Sequence, residues 1–236
     1  MISVKNLNMV YRIYRKPPGL LASVKGLINR KFDYVKALYD INLTIESGEV
    51  IGIIGPNGAG KTTLLKIMSG LLHPTGGDVM VDGFIPFNRK KEFKKSISLV
   101  MGQRSQLLWD IAAVETFLVN KAIYEIEDNA FTERLNELVE VLDVKHCLHT
   151  PVRQLSLGER MKMEIIASLL HSPKILFLDE PTIGLDLKSQ IAVREFIKKY
   201  NVNKNITTII TSHYMEDIKS LCKRIVIINK GAIVHD

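Results

Sequence analysis

Short apolar runs recur along the chain, and the best strand candidates are Val50–Ile54, Ile97–Val100, Ile175–Leu178, Thr207–Ile210 and Arg224–Ile228. Continuous runs of this length, bounded by Gly, Pro or Asp and alternating with helix-period segments, predict strands of a mostly parallel sheet covered on both faces. Between Gln103 and Glu159 the strand signal disappears. There, Ala113 to Tyr124 and Phe131 to Leu142 carry apolar residues at three- and four-residue spacing, which predicts amphipathic helices. The pattern is that of an α/β domain: a core from residues 1–102 and 171–236, with a helical subdomain inserted at 103–170. No internal repeat or Gly/Ser/Pro linker divides the chain, so residues 1–236 read as a single domain. A further insertion is expected at 15–35. After Lys16-Pro17-Pro18-Gly19 it places Leu20, Val24, Leu27 and Ile28 on one helical face beside Lys25, Arg30 and Lys31. Such a basic amphipathic helix more often docks on its own domain than on a membrane or partner.

Composition narrows the class. With 236 residues, 46% of them apolar and 24% charged, the chain can bury a sizeable core. No apolar run approaches the roughly 18 residues of a membrane helix. The opening Met1-Ile2-Ser3-Val4-Lys5-Asn6 lacks the basic head and apolar stretch of an export signal, so a cytosolic address is expected. Cys147 and Cys222 have neither pairing nor metal-ligand spacing and read as reduced, partly buried thiols. The net charge of +7 is spread along the chain. Its densest cluster, Arg89-Lys90-Lys91 with Lys94-Lys95, contains only Phe93 as an aromatic, so a solvated helix face is expected and no nucleic-acid partner.

Candidate chemistry begins at Gly55-Pro56-Asn57-Gly58-Ala59-Gly60-Lys61-Thr62, which fits G-x-x-x-x-G-K-[ST] between the strand Val50–Ile54 and the helix-like Thr63–Met68. Triphosphate oxygens need several inward-facing donors at once. Backbone N–H groups supply them only where the loop wraps closely, hence the glycines. The helix start adds the positive end of its dipole. Lys61 is placed to reach the β- and γ-phosphates, Thr62 to bind Mg²⁺, and Thr63 to donate to a nearer phosphate. A chance match in a chain of this length is on the order of 1%, so an ordinary Gly-rich turn is the weaker reading.

A second constellation, Ile175-Leu176-Phe177-Leu178-Asp179-Glu180, is an apolar run ending in two acids. A buried strand tolerates them only where its carboxyl end emerges into a site. In a parallel sheet Asp179 is expected near the phosphate loop, holding Mg²⁺, and Glu180 is expected to orient or deprotonate the attacking water.

Between these motifs lies Leu155-Ser156-Leu157-Gly158-Glu159-Arg160, ahead of the helix-like Met161–Leu170. It resembles the signature of ABC ATPases. Gln103 after the strand ending Val100-Met101, Gly184-Leu185-Asp186 after the acid pair, His213 after Thr207–Ile210, and Tyr11 after Ile2–Val10 stand in the order of that family from end to end. The resemblance implies a P-loop NTPase with an N-terminal antiparallel β subdomain. It implies that Tyr11 stacks on adenine, that Gln103 contacts Mg²⁺ and the water while its loop answers a transmembrane partner, and that His213 senses the γ-phosphate and positions Glu180. Ser156, Gly158 and Glu159 are implied to contact ATP held by the opposite copy, and Asp186 to link the two sites. The catalytic set is then Lys61, Gln103, Glu180 and His213. The common signature reads Leu-Ser-Gly-Gly-Gln. Leu157 replaces a glycine and is expected to limit positive backbone φ, and Glu159 replaces glutamine and adds a negative charge.

The function expected from this resemblance is an ATP-hydrolysing subunit that dimerises on ATP and couples to separate transmembrane permease subunits at the cytoplasmic face of the membrane. Docking is expected near Gln103 with Leu107, Leu108 and Trp109 as contacts. The signature, the preceding Pro151-Val152-Arg153-Gln154 and the 15–35 insertion resemble the branch paired with ABC-2-type or multidrug exporters. Alternatives are an importer ATPase, a remodeller of ribosomes or nucleic acid, and a nucleotide-binding regulator without catalysis.

Overall fold

The computed structural model describes residues 1–14, 32–102 and 104–236. Strand β1 (Ile2–Tyr14) pairs antiparallel with β2 (Phe32–Ile45), from Ile2 opposite Ile45 to Tyr14 opposite Phe32. Ile2, Val4, Leu7 and Met9 are buried along β1. That spacing departs from strict alternation because the pairing register shifts between Val4 and Leu7, where Asn6 takes φ +48°. The bulge realigns the apolar face with the core. Strand β3 (Val50–Ile54) and helix α1 (Lys61–Met68) follow, and then β4 (Gly76–Val81), which pairs with the other edge of β1 to complete a three-stranded antiparallel sheet.

The rest of the chain runs through α2 (Lys91–Ser96), β5 (Ile97–Met101), α3 (Ala113–Tyr124), α4 (Asp128–Val141), α5 (Leu157–Leu169), β6 (Ile175–Asp179), α6 (Leu187–Lys204), β7 (Thr207–Thr211), α7 (Met215–Leu221), β8 (Arg224–Asn229) and β9 (Ala232–His235). The core sheet has the order β5-β6-β7-β3-β8-β9, parallel except for β9. Every residue of β6 and β7 is buried. Alternation divides their side chains between two cores: Ile175, Phe177 and Ile209 pack with the antiparallel sheet and α1, whereas Leu176, Leu178 and Ile210 pack with α5 and α6. Both faces being apolar is what makes Ile175–Leu178 read as an unbroken hydrophobic run.

The parallel core sheet, the antiparallel N-terminal sheet and the helices agree with the expected P-loop NTPase architecture. Each expected strand is present, four of them extending one residue further at the carboxyl end, through Met101, Asp179, Thr211 and Asn229. Helix α4 starts earlier than the apolar spacing suggests, because the Glu127 side chain accepts from the Ala130 N–H and caps it. The basic cluster lies around α2, exposed at Arg89, Lys90, Lys91 and Lys94 and half-buried at Lys95. Lys91 and Lys95 bind Glu125 at 2.6 and 2.7 Å and hold its carboxyl down to about 2.

The expected 15–35 insertion needs correction at its far end. Residues 32–35 are strand, since Phe32, Tyr34 and Val35 pair with Tyr14, Arg12 and Tyr11. Leu20, Val24, Leu27 and Ile28 lie outside the described residues. Among the described residues, no helix is long and apolar enough to cross a membrane.

Candidate active site

Strands β3, β7 and β6 are parallel neighbours, so their carboxyl ends open on one edge of the sheet. The loop 55–60 leaves β3 there and enters α1. At Gly60, where φ is +110°, a Cβ would lie 2.6 Å from Leu38 Cδ2 and 2.7 Å from the Ala37 carbonyl oxygen. Only glycine meets both the dihedral and the approach of β2. The Ala59 N–H donates to the Pro56 carbonyl at 3.1 Å and closes the turn. Lys61 is 6% exposed, and its ammonium donates to the carbonyls of Gly55 at 2.7 Å and Pro56 at 3.2 Å. The loop thus carries its own cation, folded onto its backbone.

Asp179, the last residue of β6, faces α1. The Thr62 hydroxyl donates to its two carboxylate oxygens at 3.0 and 2.9 Å, and the Thr211 hydroxyl donates to Oδ1 at 2.6 Å. Thr211 is directly opposite Asp179 in the β6–β7 pairing. No local pattern singled it out, because its role depends on the register of two distant strands. Glu180 follows at φ +53° with its N–H donating to the Thr211 carbonyl at 3.0 Å. This left-handed turn separates the two acids, and the Glu180 carboxylate stands 3.3 Å from His213 Nδ1.

These groups face one cleft of about 740 Å³, of a size ordinary for a ligand site, lined among others by Tyr11, the loop from Asn57 to Thr63, Asp179, Glu180 and His213. Tyr11 reaches the loop side of it, with its hydroxyl 3.4 Å from Thr63 Oγ1. Val35, Lys36 and Ala37 of β2 also line the cleft, as does Arg104 after β5. Sequence reasoning missed the β2 residues because that strand mixes exposed and buried positions without a clear period. Gln103 lies outside the described residues. The Thr62 hydroxyl and Asp179 carboxylate are hard oxygen donors held together, a set that fits Mg²⁺.

Ser156, Gly158, Glu159 and Asp186 are brought together elsewhere, at the starts of α5 and α6. Ser156 caps α5 in a capping box: its hydroxyl accepts from the Glu159 N–H, and the Ser156 N–H donates to Glu159 Oε2 at 2.9 Å. Hydrogen bonds from the Ser156 hydroxyl and amide, and from His146 at 3.1 Å, hold the Glu159 carboxyl below its ordinary range. The charge expected to disturb the signature is therefore engaged in capping its own helix. Leu157 is the first residue of α5 and is not among the positive-φ positions, so the backbone limit expected from a leucine does not arise. Asp186 caps α6 through the Ser189 N–H at 3.0 Å and the Ser189 hydroxyl at 2.6 Å, which lowers its pKa. A Cβ on Gly158 would lie 2.2 Å from that Ser189 hydroxyl oxygen, so the two helix starts are packed together.

The surface beside Gln103 differs from expectation at one position. Leu107 is buried at 5% exposure, whereas Leu108 and Trp109 are 51% exposed each. The cause is Glu164 on α5, whose buried carboxylate accepts from the Ser105 hydroxyl at 2.5 Å and the Gln106 N–H at 2.9 Å and draws the loop inward. Burial pushes the Glu164 pKa up.

A family model described as ABC transporter matches residues 38–183. The ABC transporter ATP-binding protein NatA of Bacillus subtilis is 35% identical over 85% of this chain and 81% of its own length. The methionine import ATP-binding protein MetN 2 of Enterococcus faecalis is 33% identical, over 92% of this chain and 64% of its own length. The doxorubicin resistance ATP-binding protein DrrA of Mycobacterium tuberculosis is 32% identical, over 86% of this chain and 60% of its own. Among solved structures, a dimeric post-hydrolysis state of the ATP-binding cassette MJ0796 bound to ADP and Pi superposes with a TM-score of 0.81 at 25% identity, over 100% of this chain and 97% of that one.

Proposed function

The chain belongs to the ABC transporter family as an ATP-hydrolysing ATP-binding subunit, and from that premise we propose that two copies close on two ATP molecules to drive a separate export permease. The observation that carries this reading is the single cleft in which the phosphate loop, the Thr62–Asp179 pair and the Glu180–His213 pair converge.

In the proposed cycle Tyr11 stacks on the adenine, and residues Gly55 to Thr63 wrap the phosphates. Lys61 exchanges its carbonyl partners for phosphate oxygens, trading neutral acceptors for charged ones and so strengthening its bonds. Thr62, Asp179 and Gln103 would hold Mg²⁺, which when bound neutralises phosphate charge. Glu180 takes the proton of the attacking water, while His213 at 3.3 Å fixes its direction and donates toward the terminal phosphate. From the opposite copy, Ser156, Gly158 and Glu159 bring a helix start to that phosphate, and Asp186 links the two sites. Hydrolysis then removes what holds the copies together.

Permease docking is supported by the exposed apolar side chains of Leu108, Trp109, Leu118 and Ile123 on and before α3, beside a second cleft of about 420 Å³ lined by Leu71, Leu99 and Tyr124. This surface would hold the subunit at the cytoplasmic face of the membrane. The export direction is supported by the doxorubicin resistance relative, and by the signature and its preceding segment. The methionine import relative stands on the other side, so copurification with the permease and its identification decide direction.

The experiment that tests the site is phosphate release by Glu180→Gln. Turnover should fall by about 10²- to 10⁴-fold, the range for losing a general base, while ATP stays bound in a trapped dimer. Release equal to the parent's rejects Glu180 as the base.

A further inference from the structure

Asp217, in the first turn of α7, is a carboxylate with 1% exposure. Burying such a group is costly unless its oxygens are satisfied, and packing alone does not call for an acid there. Its partners explain it. Oδ2 accepts from the Thr182 hydroxyl at 2.5 Å and from the Ser212 hydroxyl at 2.8 Å. Oδ1 has no hydrogen-bond partner among the described residues, and the Arg194 guanidinium stands 3.5 Å from it. Ser212 Oγ also accepts from the Tyr214 N–H at 2.9 Å, which pins the chain on both sides of His213.

Two of these partners adjoin residues of the active site, and the third lies on a neighbouring helix. Thr182 lies just beyond Glu180, Ser212 immediately precedes His213, and Arg194 is on α6, the helix that Asp186 caps. Glu180 and His213 face a cleft with side chains 17% and 38% exposed, so packing alone does not fix their 3.3 Å separation. The backbone segments that carry them must hold it, and those segments meet on one carboxylate. By contrast, Tyr11, the phosphate loop and Thr62 lie on β1, after β3 and on α1, and no hydrogen bond or ion pair among the described residues joins them to Asp217.

We propose that Asp217 is a positioning residue for hydrolysis, clasping the segments after Glu180 and before His213 through Thr182 and Ser212 and so holding base and histidine in register. The inference rests on the roles given to Glu180 and His213 above. A shift of about 1 Å at such a pair costs up to roughly 100-fold in rate. Nucleotide binding, made by other elements, is left intact.

The test uses the full chain with steady-state Mg-ATP hydrolysis and nucleotide binding. Thr182→Val keeps the shape and removes the hydroxyl, Thr182→Ser keeps the hydroxyl, and Asp217→Asn keeps the volume and removes the charge. The clasp predicts that Thr182→Val and Asp217→Asn lower kcat by roughly 10- to 100-fold with KM for ATP within about twofold of the parent, and that Thr182→Ser recovers most of the loss. Parental kcat in both variants, a KM that rises as kcat falls, or a Thr182→Ser as impaired as Thr182→Val overturns it. If Asp217→Asn does not fold, the two Thr182 variants decide alone, because they leave the carboxylate in place. Glu180→Gln and His213→Ala separate the two levels. Should they keep full turnover, the proposed site fails; should they lose it while the clasp variants do not, only this inference fails.

Discussion

Replacing Gly158 by alanine tests how the start of α5 meets the start of α6. The glycine has ordinary helical backbone, so by propensity alone alanine should stabilise α5 by about 1 kcal/mol. Tertiary contact opposes this. The new methyl would stand 2.2 Å from Ser189 Oγ and 2.8 Å from Ser189 Cβ. The hydroxyl can rotate away only by giving up its 2.6 Å bond to Asp186, and the Cβ cannot rotate away at all. Overpacking of this kind costs about 1–3 kcal/mol, and the weakened cap of α6 adds up to about 1 kcal/mol. The net loss is about 0–3 kcal/mol, about 1.5 at mid-range, a fall in Tm of up to about 12 °C for a chain of this size. Because the displaced turn carries Asp186, ATP-driven dimerisation should weaken as well. Adding Ser189→Gly removes both clashing atoms and should restore dimerisation, measured by sedimentation in the Glu180→Gln background. A Gly158→Ala protein with a raised Tm and unchanged dimerisation would refute the packing of the two helix starts.

Three further outcomes follow from the same geometry. Thr62→Val removes the hydroxyl shared with Asp179, so Mg-ATP hydrolysis should fall by about 10²-fold and need more Mg²⁺ to saturate; an unchanged magnesium curve contradicts the assignment. Because hydrogen bonds from Ser156 and His146 lower the Glu159 pKa in the fold, its stabilisation is complete above the ordinary carboxylate range and lost as pH falls through that range toward the folded value. Urea melts from pH 7 to 3 should therefore show a shallower acid loss for Glu159→Gln than for the parent, and parallel curves count against the capping box. Burial, and then Asp217, push the Cys222 thiol up to about 12, and burial likewise raises Cys147. Iodoacetamide at pH 8 should then label the folded chain at least about 10-fold more slowly than the urea-unfolded one; equal rates would show these thiols to be exposed.

The sequence by itself determined the strands of the parallel sheet, since runs such as Ile175–Leu178 must be apolar on both faces and announce themselves without any partner. It also determined the phosphate loop and the two acids at a strand end, because loop, strand and helix cap are chemistries of neighbouring residues. Even the Ser156–Glu159 cap was written locally, though as a departure from a family pattern rather than as a cap. Tertiary structure alone decided that Thr211 stands on Asp179, that β2 brings Ala37 against Gly60, that Leu107 turns inward onto the loop held by Glu164 while Trp109 stays out, and that Asp217 gathers Thr182, Ser212 and Arg194. Each of these joins residues on separate elements. Periodicity records which face a residue takes within its own helix or strand, but the register between elements comes from the packing of the whole core, and no local spacing encodes it.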